Sequence, residues 1–142
     1  MKLLVDTNVI SELRKLGTDK VDAAVGRWAA GVDAGEMWLS AVTIHELEVG
    51  VRRLEGRDPR QAHVLRSWLD GQVLHVFEGR ILPVDTNVAL ESARLVVQYG
   101  LPLGDSLVAA TGLAHRLAVA TRNTGHFRRV DHLAIINPWE TA

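Results

Sequence analysis

Met1-Lys2-Leu3-Leu4-Val5-Asp6-Thr7-Asn8 opens the chain with an apolar strand that ends in a carboxylate, a hydroxyl and an amide. Such a strand delivers its polar ending to the place where open α/β sheets build their sites, outside the carboxyl ends of the strands. Downstream, strand-like and helix-like stretches alternate, which argues for βαβ units and a parallel sheet. Strands are expected over Lys2 to Val5, Met37 to Ser40, Ile81 to Val84, Leu117 to Thr121 and Ala134 to Ile136. Helices are expected over Val9 to Leu16, Val21 to Ala30, Thr43 to Leu54, Pro59 to Phe77, Thr86 to Tyr99 and Ser106 to Arg116. Gly17, Gly31, Gly56, Gly79 and Gly100 punctuate their ends, as glycines past helix C-termini do.

The 142 residues suit a single domain over 1–142. A chain of this size buries roughly 70% of its unfolded surface, enough for a core without staples. There is no cysteine, so disulfides and thiolate metal sites are excluded and a reducing cytoplasm is suited. Met1 to Val5 is too short for a signal peptide, and no stretch approaches the ~20 apolar residues of a membrane helix. The expectation is a soluble, cytoplasmic protein with no membrane partner. Sixteen basic residues against seventeen acidic ones give a net charge of −1, so a polyanion would need a local basic patch.

Three carboxylates stand where strands hand over to helices, and each has a plain structural reading. Asp6 reads as the cap of the first helix, Glu46 as the third helical residue of a capping box opened by Thr43, and Asp105 as the cap of the helix from Ser106. Asp85-Thr86-Asn87-Val88 repeats Asp6-Thr7-Asn8-Val9 and is a reminder that this tetrapeptide serves as a helix entry. Context argues for more. The helix after Asp105 is apolar nearly all round, so a charge at its mouth needs a partner or a job. Glu46 falls about 200° from Ile44, at 100° per residue, and leaves the Ile44, Leu47, Val51 and Leu54 stripe to face a cleft. Three carboxylates at one sheet edge repel unless a cation neutralises them, and hard oxygen donors suit Mg²⁺ or Mn²⁺.

Other chemistries find little support. His45-Glu46-Leu47-Glu48-Val49 has valine where a zinc-protease helix needs its second histidine, and neither a phosphate-binding glycine loop nor a nucleophile elbow appears. Trp28, Trp38, Trp68 and Trp139 lie far apart and read as core or interface anchors rather than a base-stacking platform. Arg52, Arg53, Arg57 and Arg60 read as a solvated face that, beside an acidic cleft, could hold a phosphate backbone.

Four ordered segments carry a family resemblance: Asp6-Thr7-Asn8-Val9-Ile10-Ser11-Glu12-Leu13, Ser40-Ala41-Val42-Thr43-Ile44-His45-Glu46-Leu47, Leu103-Gly104-Asp105-Ser106-Leu107-Val108-Ala109-Ala110 and Val119-Ala120-Thr121-Arg122-Asn123. Together they resemble the PIN-domain endoribonucleases, specifically the VapC-type toxins of toxin-antitoxin pairs. The resemblance spans essentially the whole chain. It implies a three-layer α/β/α sandwich around a mainly parallel five-stranded sheet, a homodimer, and cleavage of single-stranded RNA with Mg²⁺ or Mn²⁺. It also implies silencing by a cognate antitoxin whose C-terminal segment lies in an apolar groove and offers a basic side chain to the acids.

Carried over by position, the family's acids fall on Asp6, Glu46 and Asp105, with Asp6 and Asp105 holding the metal and Glu46 completing the set directly or through water. Thr7, Thr121 and Asn123 would orient these groups, and Arg52, Arg53 and Arg122 are candidate RNA contacts. One departure stands out. Related chains often place a fourth carboxylate just before the phenylalanine that follows Thr-Arg-Asn, where this chain has His126. A catalytically silent PIN-like RNA-binding protein is therefore an alternative. A phospho-receiver domain, from a different class, would need paired acids after the first strand and a late lysine; this chain has Asp6 alone there and no lysine after Lys20.

Overall fold

The structure, a computed structural model, describes residues 1–140. Five strands, β1 (Leu3–Val5), β2 (Met37–Ser40), β3 (Ile81–Leu82), β4 (Ala118–Ala120) and β5 (Ile135–Ile136), form one sheet in the order β3-β2-β1-β4-β5. Every pairing is parallel, with Leu3 opposite both Met37 and Ala118.

Strand alternation divides the core between two faces. Leu3 and Val5, with Met37, Leu39, Ala118 and Ala120, pack under α1 (Thr7–Leu13) and α3 (Ala41–Glu55) through Val9, Ile10, Leu47 and Val51. Leu4 and Val119 point the other way, against Val88 and Leu95 of α6 (Thr86–Tyr99) and Val108 and Ala109 of α7 (Leu103–His115). The result is helix, sheet, helix, because strands buried on both faces need a helical layer on each. Helix α7 lies close on β4: a Cβ added at Gly112 would sit 3.1 Å from Val119 Cγ2 and 3.2 Å from Leu117 O.

Helix boundaries depart from the sequence expectations in ways that bear on the site. α3 starts at Ala41, where the Ser40 hydroxyl accepts the Val42 N–H at 3.0 Å, so Glu46 lies inside the helix and caps nothing. α7 starts at Leu103 after Pro102, which supplies no side-chain cap, so Asp105 is not a cap either. Proline preceding the first turn sets an extended entry without a capping oxygen, and a search for Asp, Ser or Thr caps overlooks it.

The expected helix from Pro59 to Phe77 is interrupted. α4 (Pro59–Trp68) passes through a π turn at Leu69–Val73 into α5 (Leu74–Val76), with the Leu74 N–H reaching back to Leu69 O. The wider turn keeps Leu69, Val73 and Phe77 buried in the core. The sequence reading also leaves out α8 (Thr124–Phe127), a single turn anchored by the fully buried Phe127. α2 (Ala23–Ala30) completes the first helical layer, its Val25 buried. Among the described residues no helix is long and apolar enough to cross a membrane.

Candidate active site

The sheet order reverses beside β1: the chain runs outward through β2 and β3, then returns to place β4 on the other side of β1. Crevices at such switch points, at the carboxyl ends of the strands, are where α/β sheets bind ligands. Asp6 follows β1 and Thr121 follows β4, and they meet there. The Thr121 hydroxyl donates to Asp6 Oδ2 at 2.8 Å, the Thr7 N–H donates to Oδ1 at 2.9 Å, and Asn8 Nδ2 reaches Oδ2 at 3.4 Å. Asp6 is only 6% exposed and Thr121 fully buried. Burial pushes the Asp6 carboxyl above its ordinary range; the bonds from Thr121 and Thr7 pull against that, and the charges of Asp105 and Glu46 add to it.

The other two acids approach from opposite helical layers. Glu46, exposed on α3, accepts the Thr7 hydroxyl at Oε1 at 2.8 Å, and the same hydroxyl lies 3.4 Å from Thr43 Oγ1. Asp105, half-buried in the first turn of α7, makes a close contact through Oδ2 with Nδ1 of His126 on α8. Asn123 links the two halves of the site: its N–H donates to Thr121 Oγ1 at 3.0 Å and its Nδ2 lies 2.8 Å from His126 Nδ1. A continuous set of polar contacts thus runs from Asp6 through Thr121, Asn123 and His126 to Asp105.

Asn8 is a member the sequence reading leaves without a role. Its Nδ2 reaches Asp6 and Thr121, and its Oδ1 accepts the Arg122 N–H at 3.0 Å, so one amide ties the end of β1 to the end of β4. The only sequence signal for it is its place two residues after Asp6.

The donor set fits a hard divalent cation. Asp6 is a buried carboxylate whose ionised form is disfavoured by burial and by two neighbouring negative charges, and a dication would reverse both effects. Among the described residues no three acidic or imidazole side chains are gathered as a finished cage. Glu46 is instead turned onto Thr7, and Asp105 onto His126.

A cleft of about 490 Å³ opens beside the acids, lined by Thr7, Asn8 and Glu46 and by the cations Arg14, Lys15, Arg57 and Arg122. Arg52 and Arg53, at the far end of α3, are not among its lining residues; Arg52 is held by Glu48, with Nε 2.6 Å from Oε2. Trp68 and Trp139 both line the cleft while packing against the core, so these two tryptophans are anchors, as read, but not isolated from each other or from the acids.

An acidic crevice at the switch point of a parallel three-layer domain, flanked by cations, defines a class of protein built for chemistry on phosphate esters. The PIN domain family model matches residues 3–133. The chain belongs to the PIN-domain family. It is 38% identical to VapC ribonuclease Y4jK of Sinorhizobium fredii over 145 residues, covering 99% of each chain. It is likewise 38% identical to the toxin FitB of Neisseria gonorrhoeae over 143 residues, covering 96% of this chain and 98% of that one. Its structure superposes on a solved FitAB complex bound to an IR36 DNA fragment with a TM-score of 0.87 at 33% identity, covering 99% of this chain and 97% of that one.

Proposed function

We propose that this chain is a divalent-metal-dependent endoribonuclease and the toxin of a toxin-antitoxin pair, acting in the cytoplasm as a single-domain protein that pairs with a second copy of itself. One observation carries the nuclease reading: a carboxylate, Asp6, is clamped at the switch point by Thr121 and the Thr7 N–H while burial, and after it the charges of Asp105 and Glu46, raise its proton affinity. The relatives named as a VapC ribonuclease and a toxin support the substrate and the biological role, and the FitAB complex supports a partner antitoxin.

Asp6 and Asp105 would hold Mg²⁺, with Mn²⁺ able to substitute, and Glu46 would complete the set directly or through water. Bound there, the cation supplies Lewis-acid polarisation of the scissile phosphate and neutralises charge gathering on the leaving 3′ oxygen. Thr121 and Asn8 hold the Asp6 carboxylate in place through Oδ2. Thr7 fixes Glu46 through Oε1. So held, the Glu46 carboxylate orients the attacking water and takes its proton. Asp105 is freed for its part when His126 gives up the contact seen here. The cations along the cleft hold the RNA backbone, and unstacked bases select single strands over duplex.

The test incubates antitoxin-free protein and its Asp6→Asn variant with pooled single-stranded and structured RNAs, in Mg²⁺, in Mn²⁺ and in chelator, and sequences the ends. Metal-dependent cleavage absent from the variant is the expected result. A 2′,3′-cyclic phosphate on the products would overturn attack by water. The occupation of Asp105 by His126 favours one second reading, a silent RNA-binding member of the family; RNA binding without cleavage under every condition, by folded protein, would select it.

A further inference from the structure

Arg122 and Trp139 leave the sheet from neighbouring strand ends. The Thr121 N–H donates to Ile136 O at 2.9 Å, so β4 and β5 stay paired to their last residues and the segments that follow depart side by side. Asn137 Oδ1 accepts the Trp139 N–H at 3.0 Å, a turn that folds the indole back onto the core beside α1 and α3. The Arg122 guanidinium then lies 4.9 Å from the indole centroid, within the range of a cation–π contact. Its main chain is held as well, since the Arg122 N–H donates to Asn8 Oδ1, the amide that also clamps Asp6. Arg122 is therefore fixed by its backbone to the acidic crevice and by its head to an aromatic ring, yet it remains exposed and lines the cleft.

Of the other cleft cations, Arg14, Lys15 and Arg57, Lys15 is paired with Glu12 at 3.0 Å, and among the described residues Arg122 is the one of the four seated on an aromatic ring. A guanidinium immobilised in this way has already lost rotamer freedom, and its planar face is a surface on which an unstacked base settles without further ordering.

We propose that Arg122, laid on Trp139, is the stacking platform for the unpaired base next to the scissile phosphate, making this chain select RNA with a splayed-out nucleotide at that position. The proposal rests on the nuclease reading above and deepens it. It assigns Arg122 a role that a lysine of equal charge could not fill, because an ammonium has no plane to stack on.

The test uses the full chain carrying Asp6→Asn, so that RNA is bound and not cut, and short single-stranded RNAs in which 2-aminopurine is moved one position at a time. A rise in 2-aminopurine fluorescence at one register is expected, as that base leaves its neighbours, lost in Arg122→Ala and also in Arg122→Lys, with affinity for the unlabelled RNA falling about tenfold in Arg122→Ala. Trp139→Phe, which keeps a ring under the guanidinium, should preserve the brightened register. Arg122→Lys that brightens like the parent would overturn the stacking role and leave Arg122 a phosphate contact. RNA cut by the wild type but brightened at no single position would overturn the platform while sparing the nuclease reading. RNA neither bound by the variant nor cut by the wild type would remove both.

Discussion

Asp6-Thr7-Asn8-Val9 and Asp85-Thr86-Asn87-Val88 are the same four residues doing the same local job. Each aspartate caps a helix: Asp6 accepts the Thr7 N–H and Asp85 the Val88 N–H, both at 2.9 Å. Each valine is fully buried. The first three residues part company. Asp6 follows the central strand of the sheet, where Thr121, Asp105 and Glu46 converge on it, and is buried; Asp85 follows β3 at the sheet edge and is exposed together with Thr86 and Asn87. A cap is a property of four residues, whereas a site is a property of the strand order that surrounds them.

The comparison breaks most sharply in catalysis. Asp6→Asn keeps the shape and the cap but removes a charge from the crevice, and RNA cleavage should fall by about 10²–10³-fold, the loss typical when one electrostatic contributor is removed. Asp85→Asn should cleave like the wild type, because asparagine caps as well as aspartate. Comparable losses in both variants, measured as cleavage rates under saturating Mg²⁺, would mean that the first tetrapeptide is no more than a helix entry.

Metal binding sharpens the same contrast at smaller scale. If Mg²⁺ binds the folded chain alone, a concentration about 100 times its Kd adds about 2.7 kcal/mol of stability. The melting temperature of wild type and of Asp85→Asn should rise together, while Asp105→Asn should blunt the rise. A melting temperature unmoved by metal in the wild type, or moved equally in Asp105→Asn, would remove Asp105 from the set of ligands.

The same division explains what could be read in advance. Strand positions were legible because buried parallel strands are short apolar runs, and Val5, Leu39 and Val119 each sit in one. Helix entries were legible at Asp85 and Asp58, where a capping oxygen announces them, and misplaced at Leu103, where Pro102 supplies none, and at Ala41, where Thr43 stood in for the true cap, Ser40. The carboxylates could be named but not weighed, since Glu46 and Asp105 look like caps in one dimension and only the helix starts show that they are not. The meeting of Asp105 with His126, and of Arg122 with Trp139, depends on how strand ends align, which no local pattern encodes.

On the edge side of the comparison, Asp85→Ala should lower stability by about 1 kcal/mol, the usual loss for a removed cap, and leave cleavage untouched. Urea midpoints alongside RNA assays test both halves. An unchanged midpoint would mean that the Val88 N–H finds water equally well, and a lost activity would mean that the edge strand reaches the site.

The smallest effect separates acids by the sign of their pH dependence. Glu48, on α3, is held down to about 2 from an ordinary 4.5 by hydrogen bonds from Arg66 and Arg52. Its folded form binds protons later than its unfolded form, so its contribution is present above 4.5 and is lost as pH falls toward about 2. Asp6 runs the other way. Burial holds its carboxyl above the ordinary 3.8, so the folded chain keeps a proton that the unfolded chain has released, and stability drops as pH rises through that window. In chelator, the difference between wild type and Glu48→Gln should therefore shrink toward pH 2, and the difference between wild type and Asp6→Asn should grow as pH climbs past the carboxylate range. Urea midpoints across that range read both. Difference curves of the same sign would mean that Asp6 is stabilised by its neighbours in the metal-free protein rather than strained by them, and the case for a cation at the switch point would lose its electrostatic footing.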